Sequence, residues 1–254
     1  VYDLTLCARR SERSRGASAR RVMDPGFFAD AFLRLATLSR RWEAEQQKSE
    51  ALMVALLEFH GRLINLSTED PFAALESRDE LEATLPLLRA KHVHGLENIM
   101  SALQKSSARF STIRDDIAEV HANVWQRHGA VVTAAVEKAG SSSVGDSAAS
   151  EMAAKLLSEP TWGVVGAGRG RDAQPVGLPA PMVCIEWVRE ADAIYAAELL
   201  LKLELVDALD LGASAEVLHG LHRLWTVQPN LTPSVIERVR VLAEALNLPP
   251  GHDG

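Results

Sequence analysis

The stretch Phe27–Leu66, FFADAFLRLATLSRRWEAEQQKSEALMVALLEFHGRLINL, decides the fold. Phe28, Phe32, Leu35, Trp42, Met53, Leu56 and Leu63 fall on a near-heptad stripe, and Leu38, Leu52, Phe59 and Leu66 widen it on one side. Apolar residues recurring every three or four positions mark one face of an amphipathic helix. Begun at Pro25, such a helix runs about 60 Å at 1.5 Å per residue, so it must bend or pair with helices of comparable length. Ser39, Gln46, Ser49 and His60 interrupt the stripe, which favours packing in a bundle over a self-sufficient two-stranded coiled coil.

Working outward, Asp70-Pro71 has the form of an N-cap followed by proline at the first helical position. Ser77-x-x-Glu80 has capping-box form and opens a second helix. Leu81, Leu85, Leu88, His92, Leu96, Ile99 and Leu103 continue it, with a kink expected at Pro86. Phe110, Ile113, Ile117, Val120 and Val124 extend the pattern, and Lys105-Ser106-Ser107 leaves open whether one helix or two run here.

The residues from Gly140 to Pro181 hold seven glycines and four prolines and read as a linker. Met182, Ile185, Val188, Ala191, Ile194, Tyr195, Leu199, Leu203 and Val206 then define a helix to about Leu209, ended by Gly212. Shorter helices follow over 213–226 and 232–246, the last with Thr232 as cap and Pro233 at its first position. The expected fold is therefore all-α, an antiparallel bundle of long helices with a Gly/Pro-rich loop before the C-terminal helices. The expected organisation is a basic tail or non-native leader over 1–22, a long-helix segment over 23–139, a flexible linker over 140–178, and helices over 179–248 completing the same bundle.

The chain has 254 residues and carries 27 Lys and Arg against 34 Asp and Glu, a net charge of −7. That balance argues against a surface gripping nucleic acid throughout, since counterion release needs positive charge. Cys7 and Cys184 are too few and too far apart for a disulfide framework or a thiolate metal cage, which fits a reducing compartment. No apolar run is long enough to span a bilayer, so a soluble internal protein is expected. Residues 1–22 contain six arginines against Asp3 and Glu12 and precede Met23, and are set aside as a tail or leader.

Motifs for chemistry fail on context. In Trp162-Gly-Val-Val-Gly166-Ala-Gly168-Arg-Gly170-Arg171 the third glycine of a dinucleotide turn falls on Arg171, and the strand before and helix after it are not expected. Glu216, His219 and His222 sit at i, i+3 and i+6 of one helix without the second Glu-x-x-His that a di-iron bundle needs. No Gly-x-Ser-x-Gly elbow occurs. The expectation is a protein that is not an enzyme, with no metal and no cofactor. Ser67 and Ser143 head Ser-x-x-Asp sites of the kind an acidophilic kinase accepts, Ser143 being the one least explained by helix capping.

Pro179-Ala-Pro181-Met-Val-Cys-Ile-Glu186-Trp187-Val, with Tyr195 eight residues after the tryptophan and Leu199-Leu-Leu-Lys202-Leu-Glu-Leu205 beyond, resembles the animal casein kinase II substrate family of AIRIM-like, ATPase-interacting ribosome maturation factors. Trp42, the Gln46-Gln47 to Leu63 stretch, Leu81 to Leu103 and the run from Phe110 to His128 align in the same order, so the resemblance covers roughly 27–209. It implies a helical adaptor that binds AAA-type ATPase subunits and a second small helical protein of the cyclin-dependent-kinase-2-interacting type. Its implied setting is the nucleus and cytoplasm, in maturation of the large ribosomal subunit with a link to replication. Trp42, Trp187 and Tyr195 are candidate partner anchors, because large aromatics dominate many interfaces; the same residues also suit an intramolecular core, as does Trp225. The rival expectation is a homo-oligomeric coiled-coil structural or tethering protein.

Overall fold

The computed structural model describes residues 25–67, 78–129, 163–166, 175–210 and 212–247. Helix α1 spans Pro25–Ser67, α2 Arg78–Val124, α3 Pro181–Asp207, α4 Ala215–Val227 and α5 Pro233–Asn247. The fold is all-α, a bundle of long helices. Asp70-Pro71, Ser77, the 1–22 tail and most of 140–178 lie outside the described residues.

Helix α1 has the expected limits, and α2 settles the question at Lys105-Ser106-Ser107 by running through it. The hydroxyls there are accommodated within the helix: Ser107 Oγ donates to the Leu103 carbonyl at 3.2 Å, and Ser106 Oγ donates to Glu45 Oε1 at 2.8 Å. Pro86 is carried inside α2 near its start. Helix α3 ends at Asp207, close to the expected limit near Leu209, and its last turn tightens: Leu209 N bonds to the Val206 carbonyl at 3.2 Å, an i−3 acceptor. Helix α4 begins after Ser214, whose hydroxyl accepts from Val217 N. It ends at Gln228, a left-handed residue with φ 47°.

The glycine-rich stretch holds a feature that periodicity does not reveal. Gly163–Gly166 (β1) pairs antiparallel with Pro175–Leu178 (β2), Gly163 opposite Leu178. The expectation that no strand precedes the glycines of 166–170 is thus corrected. The antiparallel partner still differs from the parallel strand-helix-strand crossover that holds a dinucleotide.

The chain divides into two compact units. Unit one comprises the described residues among Val1–Leu38, Asp116–Ala193 and Pro233–Gly254; unit two comprises those among Ser39–Asp115 and Ile194–Thr232. In unit two, Trp42 meets Phe110, Phe59 meets His92, and the Leu66 carbonyl accepts from Arg89, so α1 and α2 are antiparallel. Trp42 also meets Tyr195 while Gln46 meets Lys202, so α3 runs parallel to α1. Helix α4 opposes both, since Trp42 bonds Gln228 and Ser49 bonds Trp225. The resulting up-down-up-down order is that of an antiparallel four-helix bundle.

In unit one, Arg34 faces Glu119 at 3.7 Å, and Phe28 stacks on His128 with ring centroids 4.6 Å apart, which makes α1 and α2 antiparallel there. Helix α3 contributes Trp187, edge-on to Phe32 at 6.2 Å, and α5 contributes Arg238, which bonds Glu190 at 3.0 Å.

Two glycines inside helices separate conformational cost from packing. A Cβ at Gly95 would lie 2.5 Å from Phe59 Cε1, whereas one at Gly220 meets nothing within 4 Å. Gly220→Ala should therefore raise unfolding free energy by about 0.5–1 kcal/mol. Gly95→Ala should fail to give that gain, because the Phe59 ring must move. Urea denaturation of the two variants side by side checks this.

Candidate functional site

Unit two is built around a buried ammonium. Lys202, on α3, has no solvent exposure, and neither does Glu198 one turn before it. Lys202 Nζ donates to Gln46 Oε1 at 2.6 Å and approaches the Trp225 carbonyl at 3.5 Å and Glu198 Oε1 at 3.6 Å. It also lies 4.4 Å from the Trp225 ring centroid and 5.0 Å from that of Phe110, both within cation–π range. Burial pushes Lys202 down to about 8, against the opposing pull of Glu198. Burial likewise raises the Glu198 carboxyl, with Lys202 and the Asn230 donors opposing.

The surrounding polar atoms are drawn into the same network. Gln46 Nε2 donates to the Trp225 carbonyl at 2.8 Å, and Trp225 Nε1 donates to Ser49 Oγ at 3.0 Å. Trp42 Nε1 donates to Gln228 Oε1 at 2.9 Å, and Asn230 N donates to Glu198 Oε2 at 3.2 Å. Ser39 and Tyr195 share a bond of 2.5 Å, and burial pushes the Tyr195 phenol up to about 12. Gln46, Ser49 and Ser39, the residues that break the α1 stripe, are thus the ones that satisfy buried groups on α3 and α4. His60, the fourth, is buried as well.

The expected partner anchors divide. Trp42 and Tyr195 are core residues of unit two, their rings 5.0 Å apart, with no face left for another chain. Trp187 is half-buried in unit one between Phe32 and the Arg238 guanidinium, which sits 5.2 Å from its ring. Trp225 is fully buried. Ser67 is exposed and donates to the Leu63 carbonyl at 2.9 Å; Ser143 lies outside the described residues. Glu216 and His219 are exposed, and His222 bonds within its own helix to Thr226. Among the described residues no three His, Cys, Asp or Glu side chains converge as ligands would. Cys184 is buried, and its thiol is pushed up to about 12 by burial.

The open feature lies in unit one. A cleft of 620 Å³ runs between α1 and the end of α2. One wall is Phe27, Asp30, Ala31 and Arg34; the other is Val120, Asn123, Val124 and Arg127, with Gln126 beside it. Both walls have i, i+3, i+4, i+7 spacing, the faces that two helices offer to a third. Ala31, Val120 and Val124 are buried and form its floor, while Asp30, Arg34 and Arg127 stand exposed at the rim. The far end is shaped by a π-helical turn, Trp125–Gly129. A Cβ at Gly129 would come within 2.6 Å of the Trp125 ring, so any larger residue there would displace that ring where the turn closes. Arg127 sits 4.5 Å over the Phe27 ring. Among the described residues neither Arg127 nor Asp30 has an oppositely charged partner, whereas Arg34 faces Glu119.

No family model matches the chain, and no curated protein sequence matches it. Among the described residues no helix is long and apolar enough to cross a membrane.

Sequence reasoning missed Glu198, Lys202, Gln228 and Asn230 as structural determinants. A signal for the first two existed: with Tyr195 and Leu205 they share positions i, i+3, i+7 and i+10 of α3.

Removing one member of the buried pair strands the other. Lys202→Met should cost about 3–5 kcal/mol of unfolding free energy, and Glu198→Gln/Lys202→Met should recover most of it; chemical denaturation of the three chains measures both. Because the folded state binds fewer protons than the unfolded chain once pH exceeds about 8, stability rises with pH until the unfolded lysine titrates near 10.5. Wild type should therefore gain stability relative to the double variant across that window. A flat difference would show that Lys202 keeps its proton when folded.

Proposed function

We propose that the chain is a non-enzymatic helical adaptor subunit of an AAA-type ATPase complex acting in maturation of the large ribosomal subunit, with a link to replication, in nucleus and cytoplasm. The observation that carries the adaptor reading is the cleft in unit one. Its two helical walls, apolar floor and charged rim suit an amphipathic helix from another polypeptide. Arg127 lies over Phe27 on the opposite wall, and Asp30 is three residues, about one helical turn, further along α1. An incoming helix therefore needs an acidic residue against Arg127 and a basic residue one turn away, a pattern that sets its direction as well as its position.

The identity of the partners rests on the sequence resemblance, which points to AAA-type ATPase subunits and a second small helical protein of the cyclin-dependent-kinase-2-interacting type. Trp187 supports the same reading from the same unit, since it is only partly covered and can add apolar contact. Trp42 and Tyr195 act differently from a surface anchor: they hold unit two together and so keep the scaffold rigid.

Asn123→Trp fills the cleft and Arg127→Glu inverts its open cation, and both positions border solvent. Each variant should keep its helix content and melting temperature. Each should lower recovery of AAA-type ATPase subunits on affinity purification by at least about tenfold, the fall expected from losing about 1.4 kcal/mol of binding. Equal recovery by wild type and both variants, or no recovery by wild type, overturns the reading.

A further inference from the structure

Helix α4 of unit two is apolar on two sides. Its inner side is occupied: Leu218 and Trp225 are buried, and Ser214 fixes the start of the helix by accepting from Val217 N. On the outer side Val217 is 50% exposed, Leu224 44% and Val227 62%, and a Cβ placed on Gly220 would meet nothing within 4 Å. Successive residues turn about 100° around a helix, which puts Gly220 at the middle of this outer face with Val227 almost in line with it. Val217 and Leu224 then lie about 40–60° to one side of Gly220, and Glu216 and Arg223 about 40–60° to the other. Leu221, half-buried, continues the apolar edge inward, and His219 lies beyond the charged edge. Glu216 and Arg223 are both exposed, and among the described residues neither has an oppositely charged partner.

The order of these residues says what fits there. Glu216 is four residues before Gly220 and Arg223 three after it; Val217 is three before and Leu224 four after. An identical helix laid antiparallel is related to this one by a two-fold axis normal to the plane of the pair, and that operation keeps each edge on its own side. Glu216 of one copy then meets Arg223 of the other, and Val217 meets Leu224, each pair level to within about 1.5 Å, the rise of one residue. Every such pair occurs twice across the contact. A parallel arrangement would set the charged edge of one copy against the apolar edge of the other. The charge pattern thus selects a second copy of α4, and selects its direction. Gly220 stands at the two-fold, where the two backbones come closest. A glycine in a helix interior is unfavourable relative to alanine, and no atom within 4 Å of that position calls for one.

We propose that the outer face of α4, centred on Gly220, is a self-association surface on which α4 of a second copy of this chain packs antiparallel. A contact along one helix of 13 residues is at the small end of specific interfaces, so the dimer is weak and reversible. The proposal is independent of the adaptor reading, and its test uses the purified full chain with no other protein.

Light scattering and sedimentation at low salt, across a concentration series from micromolar to millimolar, should show the wild-type chain passing reversibly from monomer to dimer. Arg223→Glu sets acid against acid at both pairs, and Glu216→Arg sets base against base. Each should raise the dimer dissociation constant at least about tenfold. Both positions are exposed, so helix content by circular dichroism should not change. Mixing the two single variants makes every pair across the contact opposite in charge and should restore a dimer containing one of each. Exchanging both charges in one chain, Glu216→Arg/Arg223→Glu, should restore the homodimer. A monomeric wild type, a dimer that survives either single variant, a mixture of the two that stays monomeric, or a double variant that stays monomeric overturns the proposal.

Discussion

Taking the Lys202 ammonium out of water costs several kcal/mol, and every helix of unit two contributes to offsetting that cost. Helix α1 supplies the Gln46 amide oxygen, α2 the Phe110 ring, α3 the Glu198 carboxylate, and α4 the Trp225 ring and carbonyl. Because these groups come from four separate segments, the ammonium is satisfied only when all four are in place. A buried charge of this kind adds little net stability against a well-packed apolar residue. It does penalise every arrangement that leaves it alone.

That penalty fixes register. Apolar stripes on long helices repeat, so sliding one helix past another by three or four residues presents a similar greasy surface. A slip of one turn between α1 and α3 would still bury leucines, yet it would carry Gln46 away from Lys202 and Ser39 away from Tyr195. Trp42 and Gln228 add a further constraint. The left-handed backbone at Gln228 is unfavourable for a residue with a side chain, and the bond from Trp42 Nε1 to its amide helps hold it there. The turn that ends α4 is thereby tied to the middle of α1.

The limits of α1 and the all-helical class were legible because they depend on local periodicity, proline and glycine. The meaning of the interruptions was not. Ser39, Gln46 and Ser49 read as breaks in a stripe, and their partners at Tyr195, Lys202 and Trp225 are more than 150 residues away. Helix α3 shows the same limit from the other side. Counting only apolar residues places its inner face through Leu199, Leu203 and Val206, whereas the buried positions are Glu198, Lys202, Leu205 and Leu209. The two charges inside that face rotate the apparent stripe by about one residue, or 100°. The β1–β2 pair escaped because its glycine-rich strands lack the alternation that marks a half-buried strand. The cleft in unit one escaped because periodicity marks the faces of single helices and not the gap left between two of them, and its far end is formed by a π turn that no apolar spacing announces.

Rigidity also bears on how the open surfaces work. A segment that folds only on binding gives up part of its interaction energy to ordering, whereas a preformed groove gives up little. The cleft walls in unit one are preformed. Phe28 is stacked on His128 behind them, and Val120 and Val124 are already packed, so a docking helix loses mainly its own freedom. Burying polar groups where chain identity must be enforced, and leaving apolar groups where another surface is to be met, inverts the usual arrangement at a few positions only. Those positions, Lys202 inside and Leu224 outside, are where composition-based reasoning about a helical bundle has least purchase.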